Sequence, residues 1–253
     1  MMNYNKHTGK KTFLVVGGAN GIGLSIAKVL TSRDDIQKVY ILDKAPLIES
    51  YWDDKIEAFQ FDLVNGDYSI LDKFKDVDGL MITAGFGKLA LFENVDEEMI
   101  PLYFNVNTIG VIRVIKHFYQ KLLSNKDFYC GVMVSIAGFM SSPFFSLYGA
   151  TKAALKIFIE SVNVELEKAG SNNRILNVSP GSIKGTSFNN GTTDLELTSG
   201  LAKQIIEKLE RKEDLFIPQY EEVYKEVLRR YQEDFREEGR HSYDYKVKSG
   251  RIK

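Results

Sequence analysis

The chain predicts an α/β protein built as a single-domain, doubly wound parallel sheet of about seven strands (a Rossmann fold) with helices on both faces. Three observations carry this expectation. Short apolar runs alternate with helix-period segments from the first residues onward, the first run empties directly into a glycine-rich turn, and 253 residues suit one domain of this class.

The strand candidates are residues 12–16, 38–42, 57–61, 79–83, 131–135, 174–178 and the short run 215–217. Their unbroken Val, Ile, Leu and Phe content suits strands buried on both faces. Helical patterns fall at 22–32, 68–74, 100–123 and 148–168, the last closed by Gly170 as a C-cap. Two of these helices are apolar on more than one face. Val106, Ile109, Val111, Ile112, Val114, Ile115, Phe118 and Leu122 mark the first, and Ala150, Ala153, Ala154, Ile157, Phe158, Val162 and Val164 the second. Such helices need cover on several sides, so a homodimer or homotetramer is expected.

From about residue 182 the character changes. Residues 187–200 are rich in Asn, Gly, Thr and Ser, and a mobile substrate loop is expected over about 182–200. Residues 221–238 read as one charged helix with Tyr220, Val223, Tyr224, Val227, Leu228, Tyr231 and Phe235 along a stripe. After Gly239 a basic tail carries Arg240, Lys246, Lys248, Arg251 and Lys253 against Asp244, giving a C-terminal helix and tail over about 219–253. No internal repeat or linker interrupts 1–253.

Composition narrows the function. The chain is 44% hydrophobic and 26% charged, and 33 basic residues nearly cancel 34 acidic ones, so no global field favours nucleic acid or an anionic membrane. One cysteine, Cys130, cannot close an internal disulfide, and His7, His117 and His241 are too dispersed to suggest a metal site. No apolar run approaches a membrane span. A cytoplasmic protein is expected, with neither metal, membrane nor nucleic acid as partner.

The chemistry starts where the first strand meets Gly17-Gly18-Ala19-Asn20-Gly21-Ile22-Gly23. Glycines there let the backbone turn sharply and approach a ligand, and the following helix offers free N–H groups and its positive dipole end to a pyrophosphate. Asp43 follows the second strand, 26 residues after Gly17, where a dinucleotide fold places a carboxylate for the ribose hydroxyls. Asp62 follows the third strand and suits either the adenine amino group or a helix cap; the adjacent Leu63 joins it as a cofactor contact. Tyr148 and Lys152 stand four residues apart and share a helix face. A neighbouring ammonium favours a phenolate, so Lys152 can tune Tyr148 as an acid and base. Ser135 ends the fifth strand and Asn107 lies inside the long apolar helix.

Gly17-x-x-x-Gly21-x-Gly23, Asn107-x-x-Gly110, Ser135 and Tyr148-x-x-x-Lys152, followed by Pro180-Gly181, resemble the short-chain dehydrogenase/reductase family in order and spacing over roughly residues 10–190. The resemblance implies that Tyr148 exchanges a proton with the substrate oxygen, while Lys152 lowers its pKa and binds the nicotinamide ribose. It gives Ser135 a hydrogen bond to that same oxygen, and Asn107 a water linking Lys152 to solvent. Ala84 and Gly85 would border the cofactor, Pro180, Gly181 and Ile183 would line the nicotinamide, and Thr186 would reach the cofactor although it comes one residue late. Val16 and Ile82-Thr83-Ala84-Gly85 depart from the family's usual threonine and Asn-Asn-Ala-Gly, with Thr83 placed to restore part of the lost hydrogen bonding.

The expected activity is hydride transfer between a nicotinamide cofactor and a secondary alcohol or ketone. NAD(H) is preferred over NADP(H) because Asp43 repels a 2′-phosphate and Asn20 stands where a basic residue would favour one; the adjacent Lys44 softens the distinction. Phe86, Phe139, Met140, Phe144, Phe145 and Phe188 are read either as an apolar substrate wall or as core packing, and no Arg or Lys points clearly at a substrate phosphate or carboxylate. The alternative reading is a dinucleotide-binding sensor or scaffold without turnover.

Overall fold

In the computed structural model, which describes residues 9–186, 188 and 192–250, the strands are β1 (Lys11–Val16), β2 (Ile36–Asp43), β3 (Ile56–Gln60), β4 (Gly79–Ile82), β5 (Tyr129–Met133), β6 (Ile175–Val178) and β7 (Leu215–Phe216). They form one parallel sheet in the order β3-β2-β1-β4-β5-β6-β7. The chain crosses from β3 back over β1 to β4, so the strand order reverses between β1 and β4. In such a sheet the carboxyl ends of the two strands at the reversal border a ligand crevice.

The helices are α1 (Gly21–Thr31), α2 (Met99–Phe104), α3 (Val111–Leu123), α4 (Ser146–Lys168), α5 (Leu195–Glu210), α6 (Lys225–Glu233) and α7 (Phe235–Lys248). Side chains alternate across β1 with period two. Phe13 and Val15 face α1 and α5 in a core with Ile26, Leu30, Met81, Ile205 and Leu209. Leu14 and Val16 face α3 and α4 in a second core with Leu80, Val114, Phe118, Leu155 and Ile159. Burial on both sides explains why these strands read as continuous apolar runs rather than alternating ones.

Four expectations change. The 100–123 helix is split: a π-turn at Asn105–Gly110 separates α2 from α3 and inserts its extra residue where Asn107 and Thr108 turn inward against α4. The 68–74 segment is a 3-10 helix, started by Asp67 accepting from the Ser69 amide. The substrate loop ends earlier than expected, because Asp194 caps α5 by accepting from the Glu196 and Leu197 amides, and Thr198, Ala202, Ile205, Ile206 and Leu209 bury one face. Ser187 and residues 189–191 of that loop lie outside the described residues.

The fourth change concerns the C-terminal segment, which is a helical elbow rather than a helix and a tail. Asp234 leaves the helical conformation (φ −151 is found at Asn20 of the glycine turn, and −147 here) and accepts from the Arg236 and Glu237 amides, starting α7 straight through Gly239. Glu237 and Glu238 in the first turn and Lys246 and Lys248 in the last complement the helix dipole. His7, Arg251 and Lys253 lie outside the described residues. No helix among the described residues is long and apolar enough to cross a membrane.

Candidate active site

The turn after β1 is shaped by close backbone contacts. Gly17 has φ +87, and a Cβ there would stand 2.3 Å from the Ala84 nitrogen. A Cβ at Gly23 would stand 2.1 Å from the Gly17 carbonyl oxygen. Thr83 Oγ1 donates to that carbonyl at 2.8 Å, a hydrogen bond that ties the end of β4 to the turn. Asp43 Oδ2 accepts from the Ala19 amide and Oδ1 from the Ala45 amide, both at 2.9 Å, which ties the end of β2 to the turn. Asn20 is the N-cap of α1 with no side-chain cap bond, leaving the helix N-terminus directed at the crevice.

A cavity of about 1010 Å³ runs along this crevice. Gly17, Asn20, Gly21, Ile22, Gly23, Asp43, Asp62, Leu63, Ala84, Gly85, Pro180, Gly181, Ile183 and Thr186, each expected from the sequence, all line it. Asp62 caps no helix: its Oδ1 accepts from the Val64 amide within a turn, the helix that follows is capped by Asp67, and Asp62 lines the cavity. That bond and the Lys44 ammonium at 3.2 Å hold the Asp62 carboxyl below its usual range. Thr186, one residue late in the motif, is buried with its Cβ 3.7 Å from where a Gly21 Cβ would stand. Thr193, which sequence reasoning missed, accepts from the Gly21 amide at 2.7 Å. A glycine turn that lets the backbone approach closely, the N-terminus of α1 beside it and a carboxylate at the end of β2 fit a dinucleotide's pyrophosphate and ribose.

The other half of the cavity carries the expected catalytic residues Tyr148, Lys152 and Ser135. Tyr148 and Lys152 project from the first two turns of α4, with Lys152 Nζ 5.6 Å from the Tyr148 ring centroid and donating to the Met133 carbonyl at 2.9 Å. Ser135, just past β5, accepts from the Ala137 amide at 3.1 Å and lines the same wall. Asn107 lies beneath the floor rather than in the wall: fully buried, it accepts from the Phe86 amide at 2.9 Å and donates to the Phe86 carbonyl at 2.8 Å and Thr151 Oγ1 at 3.2 Å. A Cβ at Gly85 would meet Asn107 Oδ1 at 3.2 Å and Lys152 Nζ at 3.3 Å, so both groups converge on that glycine. The electrostatics differ from the simple tuning expected. Burial pushes the Tyr148 phenol up to about 12, opposed by the neighbouring Ser135 hydroxyl, and burial pulls the Lys152 ammonium down to about 7.

Of the apolar candidates, Phe86, Met140, Phe145 and Phe188 line the cavity. The Phe145 and Phe188 rings each lie 5.2 Å from the Tyr148 ring. Phe144 instead stacks on Tyr243 of α7 at 4.6 Å, and Phe139 lies under Lys156, so these two serve packing. Sequence reasoning missed the outer wall, made of Val223, Tyr224, Val227, Arg230, Glu238, His241, Ser242, Tyr245 and Lys246 from the C-terminal elbow. Arg230 and Lys246 thus bring cationic side chains to a cavity for which the sequence suggested apolar walls and few charges.

Three comparisons place this geometry. A family model described as short chain dehydrogenase matches residues 11–196. An uncharacterized oxidoreductase of Saccharomyces cerevisiae is 26% identical over 197 residues, covering 70% of this chain and 61% of that protein. Estradiol 17-beta-dehydrogenase 2 of Mus musculus is 25% identical over 213 residues, 78% of this chain and 54% of its own length. Among solved structures, a short-chain dehydrogenase from Burkholderia phymatum in complex with NAD superimposes with a TM-score of 0.76 at 18% identity, over 89% of this chain and 94% of that one. One from Streptomyces avermitilis gives 0.75 at 20% identity, over 95% and 100%. With the glycine turn, the crevice at the strand reversal and the Tyr148–Lys152 pair on α4, the chain belongs to the short-chain dehydrogenase/reductase family of nicotinamide-dependent oxidoreductases.

Proposed function

We propose that the protein transfers a hydride reversibly between NAD(H) and a secondary alcohol or ketone, with Tyr148 as the acid and base. The observation that carries this reading is the meeting of Tyr148, Ser135 and Lys152 with the glycine turn in one cavity. A nicotinamide dinucleotide held by the glycine turn, the N-terminus of α1 and Asp43 would supply or accept the hydride. In reduction the substrate carbonyl oxygen accepts hydrogen bonds from Ser135 Oγ and the Tyr148 hydroxyl. As the carbonyl carbon gains the hydride, the oxygen takes the Tyr148 proton and the alcohol forms. Lys152, drawn down to about 7, exchanges protons near neutral pH and can return one to Tyr148. A water shared by Asn107 Oδ1 and Lys152 Nζ at Gly85 would link this pair to solvent, while the Asn107 amide positions the Phe86 segment.

Measuring NADH binding and ketone reduction in Tyr148→Phe tests the mechanism. The variant should bind NADH nearly as the parent does and lose turnover by about 10²-fold or more. Parent-like turnover would overturn the acid/base assignment.

The protein works as a homodimer or homotetramer in this reading. Ala150, Ile157 and Val164 are exposed at seven-residue spacing on one face of α4, and Ile109 is exposed beside α3. Pairing these faces across a two-fold axis would remove the apolar stripe from water.

A further inference from the structure

We propose that Arg230 and Glu238 form a second polar subsite, and that the substrate is a ring-bearing ketone or alcohol carrying a distal hydroxyl group. This rests on the hydride-transfer reading above and specifies its substrate. Arg230 Nε on α6 donates to Glu238 Oε2 on α7 at 2.7 Å, across the elbow at Asp234. Both residues line the cavity, and Glu238 is only 8% exposed. Glu238 Oε1 and Arg230 Nη2 carry no hydrogen bond among the described residues. An ion pair in such a wall is weak support for folding, since apolar side chains of similar volume would stabilise the elbow equally well. An open acceptor beside an open donor is instead what binds a ligand.

The surroundings define that ligand. Val223 and Val227 of the elbow line the same cavity as Met140, Phe145, Phe188 and Tyr148, so apolar side chains share it with the Arg230–Glu238 pair. The Phe145 ring lies 5.2 Å from the Tyr148 ring, and Lys246 Nζ of α7 lies 5.6 Å from the Phe145 ring centroid, so Phe145 touches both α4 and the elbow. An aromatic-lined slot takes a flat apolar body. At the far end a substrate carboxylate would meet the charge of Glu238, and an ammonium would meet Arg230. A hydroxyl satisfies both, donating to Glu238 Oε1 and accepting from Arg230 Nη2.

The test uses the full chain with NADH and two ketone pairs that differ in span: 4′-hydroxyacetophenone against acetophenone, and 4-acetyl-4′-hydroxybiphenyl against 4-acetylbiphenyl. For at least one pair the hydroxylated ketone should have the higher kcat/KM by about tenfold or more, through KM rather than kcat. Glu238→Gln and, separately, Arg230→Met should bring that ratio toward one, with circular dichroism and NADH fluorescence titration as folding controls. A ratio of one or below for both spans, or a ratio that survives in both variants, overturns the subsite. If the parent refuses all four probes but reduces aliphatic ketones, the subsite assignment fails and the proposed function stands. If no carbonyl or alcohol is turned over although NADH binds, the proposed function itself fails and the subsite with it.

Discussion

Replacing Lys152 by methionine should abolish turnover and, in the cofactor-free protein, narrow or reverse the usual stability loss of a core mutation in a pH-dependent way. Lys152 is 2% exposed, and burial lowers its pKa from 10.5 to about 7. The unfolded chain therefore binds more protons than the folded one between these limits, so the parent gains stability as pH rises from 7 to 10.5. Below about pH 7 the folded lysine is charged and its full burial cost is present. Each pH unit in the window corresponds to about 1.4 kcal/mol, which makes the neutral-pH cost a few kcal/mol. Methionine fills similar space without a charge, and its loss of the bond to the Met133 carbonyl costs about 1–3 kcal/mol at every pH. Thermal melts of both proteins at pH 6.5 and 9, without cofactor, read the difference. The variant should compare best with the parent at the lower pH and lose ground by several degrees at the higher one. A stability difference that is flat across this range would refute the buried, weakened ammonium.

NADH should bind about tenfold to a hundredfold tighter than NADPH in fluorescence titrations, because a 2′-phosphate would approach the Asp43 carboxylate in a partly shielded site. Lys44, the residue that could soften this, is held at 3.2 Å by Asp62, and Asp43→Asn should reduce the preference. Tighter binding of NADPH by the parent would reverse the assignment. Light scattering should show a dimer or larger species, and Ile157→Lys combined with Val164→Lys should shift it toward the 28.7 kDa monomer. A parent that is monomeric at micromolar concentration would refute the shared helix face.

The sheet was legible because its local signals and its tertiary environment agree. Phe13 to Val16 are buried from both sides, so the apolar run itself states their surroundings. The α5 helix shows the opposite case. Its cap Asp194 and its stripe of Ala202, Ile205 and Leu209 stand in the sequence, but beside the Asn, Gly and Thr preceding them the whole helix goes unassigned. The π-turn at Asn107 was not legible, because the residue it inserts turns the apolar stripe by about 100°, and a turned stripe reads as a helix apolar on more than one face.

The site divides along the same physical line. Tyr148, Lys152, Ser135 and the glycine turn could be read because each sits at a fixed offset from the end of a strand or the start of a helix, so chain order already encodes their geometry. The outer wall cannot be read this way. Its position depends on contacts between residues far apart in the chain: Tyr243 stacks on Phe144, Lys246 Nζ donates to Ser142 Oγ and the Pro143 carbonyl, and the Tyr224 hydroxyl lies 1.7 Å from where a Gly181 Cβ would stand. Gly181 therefore has a second reason to be glycine beyond the nicotinamide contact that the resemblance implies, since any side chain there would displace Tyr224. Asp234 did signal a cap, but a cap says only that a helix begins, not which way it leaves. Chain direction after the elbow follows where Phe144, Ser142 and Pro143 already stand, just before α4, the helix that also carries Tyr148. The Tyr148 side of the cavity and its outer wall thus share one scaffold, the first through short offsets along the chain and the second through contacts across it.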